Sequence, residues 1–366
     1  MDRHQHSRLE FVGALRGVAC LLVVYAHIIA AHSIKHGYDL TLVNWVSEYV
    51  TGPFGIIQNF GWFGVCLFFL ISGYIITHTI RDENHLSFFV KRIFRIYPAY
   101  FVAVLVTALV WRYQFGTEFF SWQEYLLGLS LSGIWPGQRV GTLGVEWTLI
   151  IEIRFYVLTL LLLSVYRRFP ALAALAQLLI SWWCIDNARS WDNTFFLFTV
   201  GMTYIPFLIC GQLLYLVQTR RIGAVTFAAL TGLALFVAIE GMQTMHPRFL
   251  RPANSYMVTF AYCYAIFVAC IFLADKIRTN PVTRYFENIS YSLYIYHGAI
   301  AGLVLFLLPM PELPFTLSYG LAIAVACFVS WLSFRFIERP AQRLSRRIVS
   351  RLESKGAVQS GSGSVQ

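Results

Sequence analysis

The chain contains few charged side chains for its length. Only 13% of its 366 residues are Asp, Glu, Lys or Arg, 58% are hydrophobic, and the mean hydropathy is +0.62. Because soluble domains contain about 25% charged residues, this composition excludes an ordinary soluble fold. The gaps between the apolar segments are also too short to hold a separate soluble catalytic domain. Any chemistry must therefore take place inside a membrane or at its surfaces.

The cysteines form no pattern that is typical of a covalent or metal-bound framework. All seven are scattered, and no two of them make a CxxC pair. We therefore expect neither a disulfide framework nor a metal site. The sequence also lacks a repeat with a period of about 20 to 50 residues. A convincing inverted repeat, which many secondary transporters show, is likewise missing.

Apolar segments of membrane-spanning length recur along the chain. The sequence therefore predicts an all-α polytopic membrane helical bundle of about ten transmembrane helices. This domain is expected to cover residues 1–342, and the basic, polar segment 343–366 is expected to be a disordered cytoplasmic tail. The predicted spans are 11–31, 60–79, 97–113, 145–165, 170–185, 195–217, 223–240, 255–274, 288–308 and 314–336.

Lysine and arginine indicate how the predicted bundle is oriented. Most of the 28 basic residues fall in the terminal segments and in every second loop. Since basic residues are retained on the cytoplasmic side, both termini are predicted to be cytoplasmic. The net charge of +10 is then a result of topology. We expect membrane lipids as the surroundings and no nucleic acid as a partner.

The first apolar segment carries two ionisable residues, Arg16 and His27. An ionisable side chain is costly inside a bilayer, so it indicates a functional site by default. Eleven helical steps end within about 20° of three full turns and advance about 16 Å. One helix face thus presents a cation near the predicted cytoplasmic surface and an imidazole nearer the outer surface.

Glu152 is an acidic residue well inside the fourth predicted span. Counted from the helix ends, it lies about 10 Å below the outer surface, at a depth similar to that of His27. A carboxylate that orients an imidazole raises its basicity, so His27 and Glu152 are predicted to form a catalytic general base. Three other interpretations stay open: a local pair of Glu152 with Arg154, a structural role for His27, and a proton relay in a transporter. Charge compensation of Arg16 by Glu152 is a further alternative, which the predicted depth of Arg16 near the inner surface disfavours.

Basic residues also stand before the third predicted span. Arg92 and Arg95 are three residues apart and share a helix face if that helix begins early. Paired guanidinium groups at a membrane surface suit phosphate recognition. The alternative is that the positive-inside rule alone placed them there.

Two further spans carry polar residues near the middle of the membrane. In the second, the small step Ser72-Gly73 allows close helix approach or leaves room for a substrate chain. In the ninth, Tyr294 and His297 are three residues apart and share a face. Hydroxyls and an imidazole on one intramembrane helix indicate a polar cavity.

These segments, taken in order, resemble one known family. The chain resembles the acyltransferase family 3 of integral membrane proteins, which O-acylate bacterial surface polysaccharides and related glycans. The resemblance covers residues 8–342, with Arg154 where the family more often has glutamine. The matching elements are the arginine, ten residues, histidine motif at Arg16 and His27, FFxxSGY at 68–74, RxxR at 92–95, WTLxxExxFY at 147–156, SYSLYxxH at 290–297 and ERP at 338–340.

The resemblance implies a set of site residues with roles. They are the catalytic residues His27 and Glu152, the donor-binding residues Arg16, Arg92, Arg95, Ser72 and Tyr74, and the acceptor-binding residues Trp147, Tyr294 and His297. Direct transfer and an acyl-enzyme intermediate on His27, Ser72 or a tyrosine both stay open.

The resemblance also implies the reactants and the location. The donor is expected to be acetyl-CoA, with no metal, and the acceptor a hydroxyl of a glycan or lipid-linked glycan. The expected location is the inner membrane of a bacterium, and a homodimer or a separate periplasmic partner is left open. The main alternative is a proton-coupled secondary transporter that uses the His and Glu pair, and a second is a non-catalytic scaffold.

Overall fold

A computed structural model describes residues 3–116, 122–129, 131, 143–190, 193–245, 251–308 and 312–362. Within these ranges the chain is helical and contains no β-strand. A π-helical turn, Tyr25–Ala31, joins α1 to α2, and another, Phe334–Glu338, joins α15 to α16. The α-helices are α1 (Arg3–Val24), α2 (His32–His36), α3 (Thr41–Val46), α4 (Gly61–Thr79), α5 (His85–Phe115), α6 (Trp122–Leu129), α7 (Glu146–Leu161), α8 (Leu163–Arg168), α9 (Pro170–Asp186), α10 (Asn193–Met202), α11 (Ile205–Gln218), α12 (Ala224–Thr244), α13 (Ala253–Phe272), α14 (Pro281–Leu307), α15 (Phe315–Ser333) and α16 (Arg339–Ser362).

Helices of membrane-spanning length dominate the bundle. Among the residues described, eight helical stretches are long and apolar enough to cross a membrane. This confirms the prediction of an all-α polytopic membrane bundle. Two other predicted spans correspond to shorter helices, α7 with 16 residues and α9 with 17. The total of ten crossings and the cytoplasmic location of both termini stay predictions.

α5 begins well before the predicted third span. Asn84 caps it, because its side chain accepts a 2.7 Å hydrogen bond from a backbone N–H in the first turn. Pro98 lies inside the helix and does not start it. Arg92 and Arg95 therefore lie on the helix itself, on one face, and not in the loop before it.

α4 and α11 cross with their backbones in close approach. A Cβ atom at Gly73 of α4 would overlap the carbonyl oxygen of Leu208, and one at Gly211 of α11 would overlap that of Leu70. Small residues permit helices to pack this closely in membranes. The Ser72-Gly73 step was predicted either to allow close helix approach or to leave room for a substrate chain. Gly73 allows the close approach of α4 and α11. α1 and α13 also pack against α4, which is consequently buried along most of its length.

The segment after residue 342 differs from expectation. α16 runs to Ser362, and in the part whose side chains are described it packs against α5. Ser345 and Val349 are buried there. Because apolar side chains recur at helical spacing, at Leu344, Ile348 and Leu352, this segment forms an amphipathic helix. The expected disordered tail is therefore not what residues 343–354 form.

Candidate active site

Five helices, α1, α4, α5, α7 and α14, line a cavity. One side of its wall is apolar, and the rest carries charged and hydroxyl groups. The cavity brings together six of the predicted site residues, which are Arg16, Ser72, Arg92, Arg95, Glu152 and Tyr294. The hydroxyl groups of the ninth predicted span indicated a polar cavity. Ser290, Tyr291 and Tyr294 of α14 do line this one.

The carboxylate of Glu152 lies in this cavity and is held by two hydroxyl groups. Ser72 of α4 donates a 2.8 Å hydrogen bond to Oε1, and Tyr156, one turn further along α7, donates to the same oxygen. The bond from Ser72 links α4 to α7 across the cavity. Ser72 and Glu152, predicted for separate roles, therefore form one unit.

The predicted contact between His27 and Glu152 is wrong. Thr148 of α7 hydrogen-bonds Tyr294 of α14 at 2.7 Å. Glu152 lies one turn, about 6 Å, from Thr148 towards the far end of α7. His297, which lies 2.9 Å from His27 between ring nitrogens, is about 4.5 Å from Tyr294 in the opposite direction along α14. The two predicted catalytic residues are thus about 10 Å apart in depth. The first residue of α7, Glu146, is buried within the protein at 2% exposure.

Arg92 and Arg95 are each held by a carboxylate. Arg92 pairs with Glu83 at 3.3 Å, and its guanidinium lies over the ring of Tyr156 at 5.8 Å. Arg95 pairs with Glu338, whose side chain is only 1% exposed. Both guanidinium groups still reach the cavity wall, so they can offer remaining N–H donors to an anionic group there.

Arg16 is the cation of the cavity that has no such partner. Among the described residues it makes no hydrogen bond and no ion pair within 4.0 Å, although Glu152 and Glu287 lie in its electrostatic surroundings. A guanidinium with free donors beside a cavity is suited to bind phosphate or carboxylate. Arg16 therefore has the geometry expected of a ligand-binding residue.

His27 forms a pair with His297. Nδ1 of His27 lies 2.9 Å from Nε2 of His297, and the two rings are nearly parallel, with centroids 5.2 Å apart. His27 is exposed, whereas His297 is buried at 1% exposure. His297 was predicted to bind the acceptor. Because His297 is buried, only the ring of His27 is open to contact with an acceptor.

Backbone carbonyls determine where the protons of the neutral pair lie. Nδ1 of His297 is 2.8 Å from the carbonyl oxygen of Tyr294 and 3.2 Å from that of Leu293. Since a carbonyl only accepts, Nδ1 of His297 carries the proton and its Nε2 accepts. The shared hydrogen bond must then be donated by Nδ1 of His27. Nε2 of His27 is left unprotonated and has no hydrogen-bond partner in the described part of the chain.

The cavity ends just below this histidine pair. Tyr294 and Phe68, whose rings make an edge contact at 5.3 Å, are its upper lining residues together with Thr148. The ring of Tyr294 is 6.1 Å from that of His297. Neither histidine lines the cavity. Tyr294 thus separates the arginine-lined space from the histidine pair.

Two predicted residues lie away from the cavity. Tyr74 is buried on the opposite side of α4, where it packs against Phe11 and hydrogen-bonds Gln218. Tyr74 follows Ser72 by two residues, so the two side chains point about 200° apart around α4. They therefore cannot face the same cavity. Trp147 packs against Phe69 and is 39% exposed. Binding roles for Tyr74 and Trp147 find no support in this geometry.

Three residues of the site were missed by the sequence reasoning. Tyr156 lies four residues after Glu152 on α7, a spacing that predicts contact on one helix face. Glu338 was noted only as part of the closing ERP segment. Thr148 was noted only as part of the WTLxxExxFY segment, since a hydroxyl near a helix start is commonplace. The signal for Tyr156 was therefore present in the sequence, and the pairing of Glu338 with Arg95 required the fold.

Comparison with known proteins assigns the family. A family model described as an acyltransferase domain matches residues 9–335. The chain therefore belongs to the acyltransferase 3 family. The sequence-based identification of the family is confirmed, as is the class of enzyme predicted, an O-acetyltransferase of the membrane.

Two curated relatives are similar over most of their length. Nodulation protein 10 of Rhizobium leguminosarum bv. viciae is 28% identical over 316 residues, which cover 79% of this chain and 84% of that protein. An O-acetyl transferase of Shigella phage Sf6 is 21% identical over 345 residues, which cover 87% of this chain and 97% of that protein. No solved structure matches the chain at a significant level.

Proposed function

We propose that the protein transfers an acetyl group from cytoplasmic acetyl-CoA to a hydroxyl group of a glycan or lipid-linked glycan on the outer side of a bacterial inner membrane. The observation that carries this proposal is the free Nε2 of His27, oriented by His297, next to a cavity with three arginines. The O-acetyl transferase named among the relatives supports the choice of acetyl and of a hydroxyl acceptor.

The donor binds in the cavity. Arg16, with free N–H donors, supplies the main contact to CoA phosphates, and Arg92 and Arg95 add to the positive potential of the wall. The apolar part of the wall accommodates the uncharged arm of the donor and keeps water from the thioester. The thioester must reach the upper end of the cavity at Tyr294 to come near the histidine pair.

His27 acts as the general base. Its Nε2 takes the proton of the acceptor hydroxyl while the oxygen attacks the thioester carbonyl carbon. The new C–O bond forms, the C–S bond breaks, and the thiolate of CoA leaves and takes up the proton. His297 accepts the hydrogen bond from Nδ1 of His27 and so keeps Nε2 pointing at the acceptor, as the third member of a catalytic triad does.

Glu152 takes a different role from the one predicted. It holds the hydroxyls of Ser72 and Tyr156 and partly balances the charge of the nearby arginines. A covalent intermediate on Ser72 would need a base beside it, and Glu152 is in hydrogen-bond contact with that hydroxyl. Direct transfer and a relay through Ser72 therefore remain two routes within the same proposal.

The transporter alternative rests on a proton relay between His27 and Glu152. That relay is not supported, because the two residues lie about 10 Å apart in depth. A scaffold role would leave the oriented imidazole without a purpose. We therefore retain the acyltransferase reaction alone.

Substitution of His27 tests the proposal. Membranes containing His27→Ala should release no CoA thiol in response to the acceptor, and surface glycans of the cells should lack the mass of the acetyl group. His32→Ala is the matched control, since His32 lies beyond the same π-helical turn and hydrogen-bonds Tyr319 outside the cavity. Normal acetylation by the His27 variant at normal abundance would contradict the proposal. So would proton-driven solute uptake without CoA release.

A further inference from the structure

α16 presents a stripe of arginines on the outside of the bundle. When successive residues are placed 100° apart, the five arginines fall within an arc of about 140°. All five are exposed, and within the described part of the chain none forms an ion pair with a carboxylate. They are Arg339, Arg343, Arg346, Arg347 and Arg351.

Exposed apolar side chains lie between one edge of this stripe and α5: on the same count Leu344 is about 20° and Leu352 about 100° beyond Arg351. Leu344 and Leu352 of α16 are 48% and 41% exposed, and Leu86 and Phe89 of α5 are 52% and 51% exposed. Leu86 and Leu352 line one groove between the two helices, together with polar residues that include Glu353. The surface therefore combines positive charge with apolar area.

The stripe lies at the level where the neighbouring helices begin. Ser292 of α14 donates a 3.2 Å hydrogen bond to Glu338, which directly precedes α16. Ser292 stands eleven residues, about 16 Å, above the first residue of α14. Val349 stands eleven residues beyond Glu338 and shares a groove with Asn84, the cap of α5. α16 thus runs back along α5 to the end of the bundle that basic residues predict to be cytoplasmic.

We propose that this surface, formed by the arginine stripe with Leu86, Phe89, Leu344 and Leu352, binds anionic phospholipids of the cytoplasmic leaflet. The guanidinium groups bind the lipid phosphates, and the leucines and the phenylalanine contact the acyl chains. A free phosphate or a CoA molecule would leave the exposed apolar side chains without a partner. The stripe also lies outside the cavity that holds Arg16, so it does not duplicate the donor site.

The test compares lipid retention by the full-length protein. The protein is reconstituted in nanodiscs of phosphatidylethanolamine with phosphatidylglycerol. It is then released from the nanodiscs under mild conditions, and the lipid that stays bound is measured by native mass spectrometry. The variant Arg343→Gln with Arg347→Gln removes two stripe charges. The control Lys276→Gln with Arg278→Gln removes two exposed charges from the segment before α14.

Wild type and control should retain phosphatidylglycerol, and the stripe variant should bind it about tenfold more weakly. Phosphatidylethanolamine should be retained equally by all three. Equal phosphatidylglycerol retention by all three proteins would overturn the proposal. It would also be overturned if the stripe variant bound acetyl-CoA more weakly in neutral nanodiscs while its lipid retention stayed unchanged. The lipid readout does not depend on catalysis, so failure of the proposed reaction leaves it valid.

Discussion

Nδ1 of His27 lies 2.9 Å from Nε2 of His297, and the exposed ring is thereby oriented by a buried one. In most catalytic triads a carboxylate does this work. A carboxylate buried at this depth of a membrane would be costly, whereas a neutral imidazole anchored to backbone carbonyls is much less so. The pair therefore orients a base without adding a charge to the apolar region.

Replacement of His297 tests that orientation. Leucine removes the acceptor for Nδ1 of His27, and we expect kcat to fall by about 10²-fold or more, the low end of general-base contributions. Glutamine can return an acceptor oxygen near the position of Nε2 and should recover part of kcat. KM for acetyl-CoA should stay within about twofold in both, as neither side chain lines the cavity. Equal kcat in the glutamine and leucine variants would show a packing role only.

Arg16→Gln should weaken donor binding without affecting folding. A charge-assisted hydrogen bond is worth about 1.5 to 3 kcal/mol, so the Kd for acetyl-CoA should rise by about tenfold or more. The melting temperature should not fall, because Arg16 has no ion-pair partner to leave behind within the described residues. Isothermal titration with acetyl-CoA measures the first effect and thermal denaturation in detergent the second. An unchanged affinity would remove Arg16 from the donor site.

Arg95→Gln, unlike Arg16→Gln, should lower the melting temperature. It leaves the carboxylate of Glu338, 1% exposed, without its cation. Loss of one member of a buried ion pair costs about 3 to 5 kcal/mol, so the melting temperature should fall clearly. The double variant Arg95→Gln with Glu338→Gln should recover much of that loss. A single variant as stable as wild type would mean that the pair contributes nothing to the fold.

Gly73→Ala should prevent assembly of the bundle. The added methyl group would overlap the carbonyl oxygen of Leu208, which belongs to the α11 backbone and cannot move alone. Gly232→Ala in α12 is the matched control, since its methyl group would meet no atom within 4 Å. Fluorescence-detected gel filtration should show a monodisperse control and little folded Gly73 variant. Equal yields for the two would disprove close packing of α4 on α11.

Most helices of the bundle could be predicted from the sequence, because the thickness of a bilayer sets the length of the apolar segment that crosses it. The start of α5 was not, since it depends on one cap, Asn84, in a polar stretch. α16 was misread because its net charge suggested disorder, although its apolar spacing was helical. The prediction for this segment relied on its charged composition, whereas the spacing of its apolar residues indicated the helix that forms.

The site was predicted residue by residue but not as an arrangement. Arg16, Ser72 and Glu152 were identified, and they do meet in one cavity. Their partners were not, because depth counting assumes that every helix starts at a membrane surface. Glu146 starts α7 inside the protein, where its carboxylate accepts bonds of 3.0 and 3.1 Å from the backbone N–H of Leu143.

The layer formed by Tyr294 and Phe68 has a consequence for the cell. In the proposed reaction an acyl group passes through the protein, and protons and other ions could follow the same route. Here the route is interrupted by one pair of aromatic rings between the arginine-lined space and the outer histidine pair. In the proposed reaction these two rings would also limit the leak of protons through the protein.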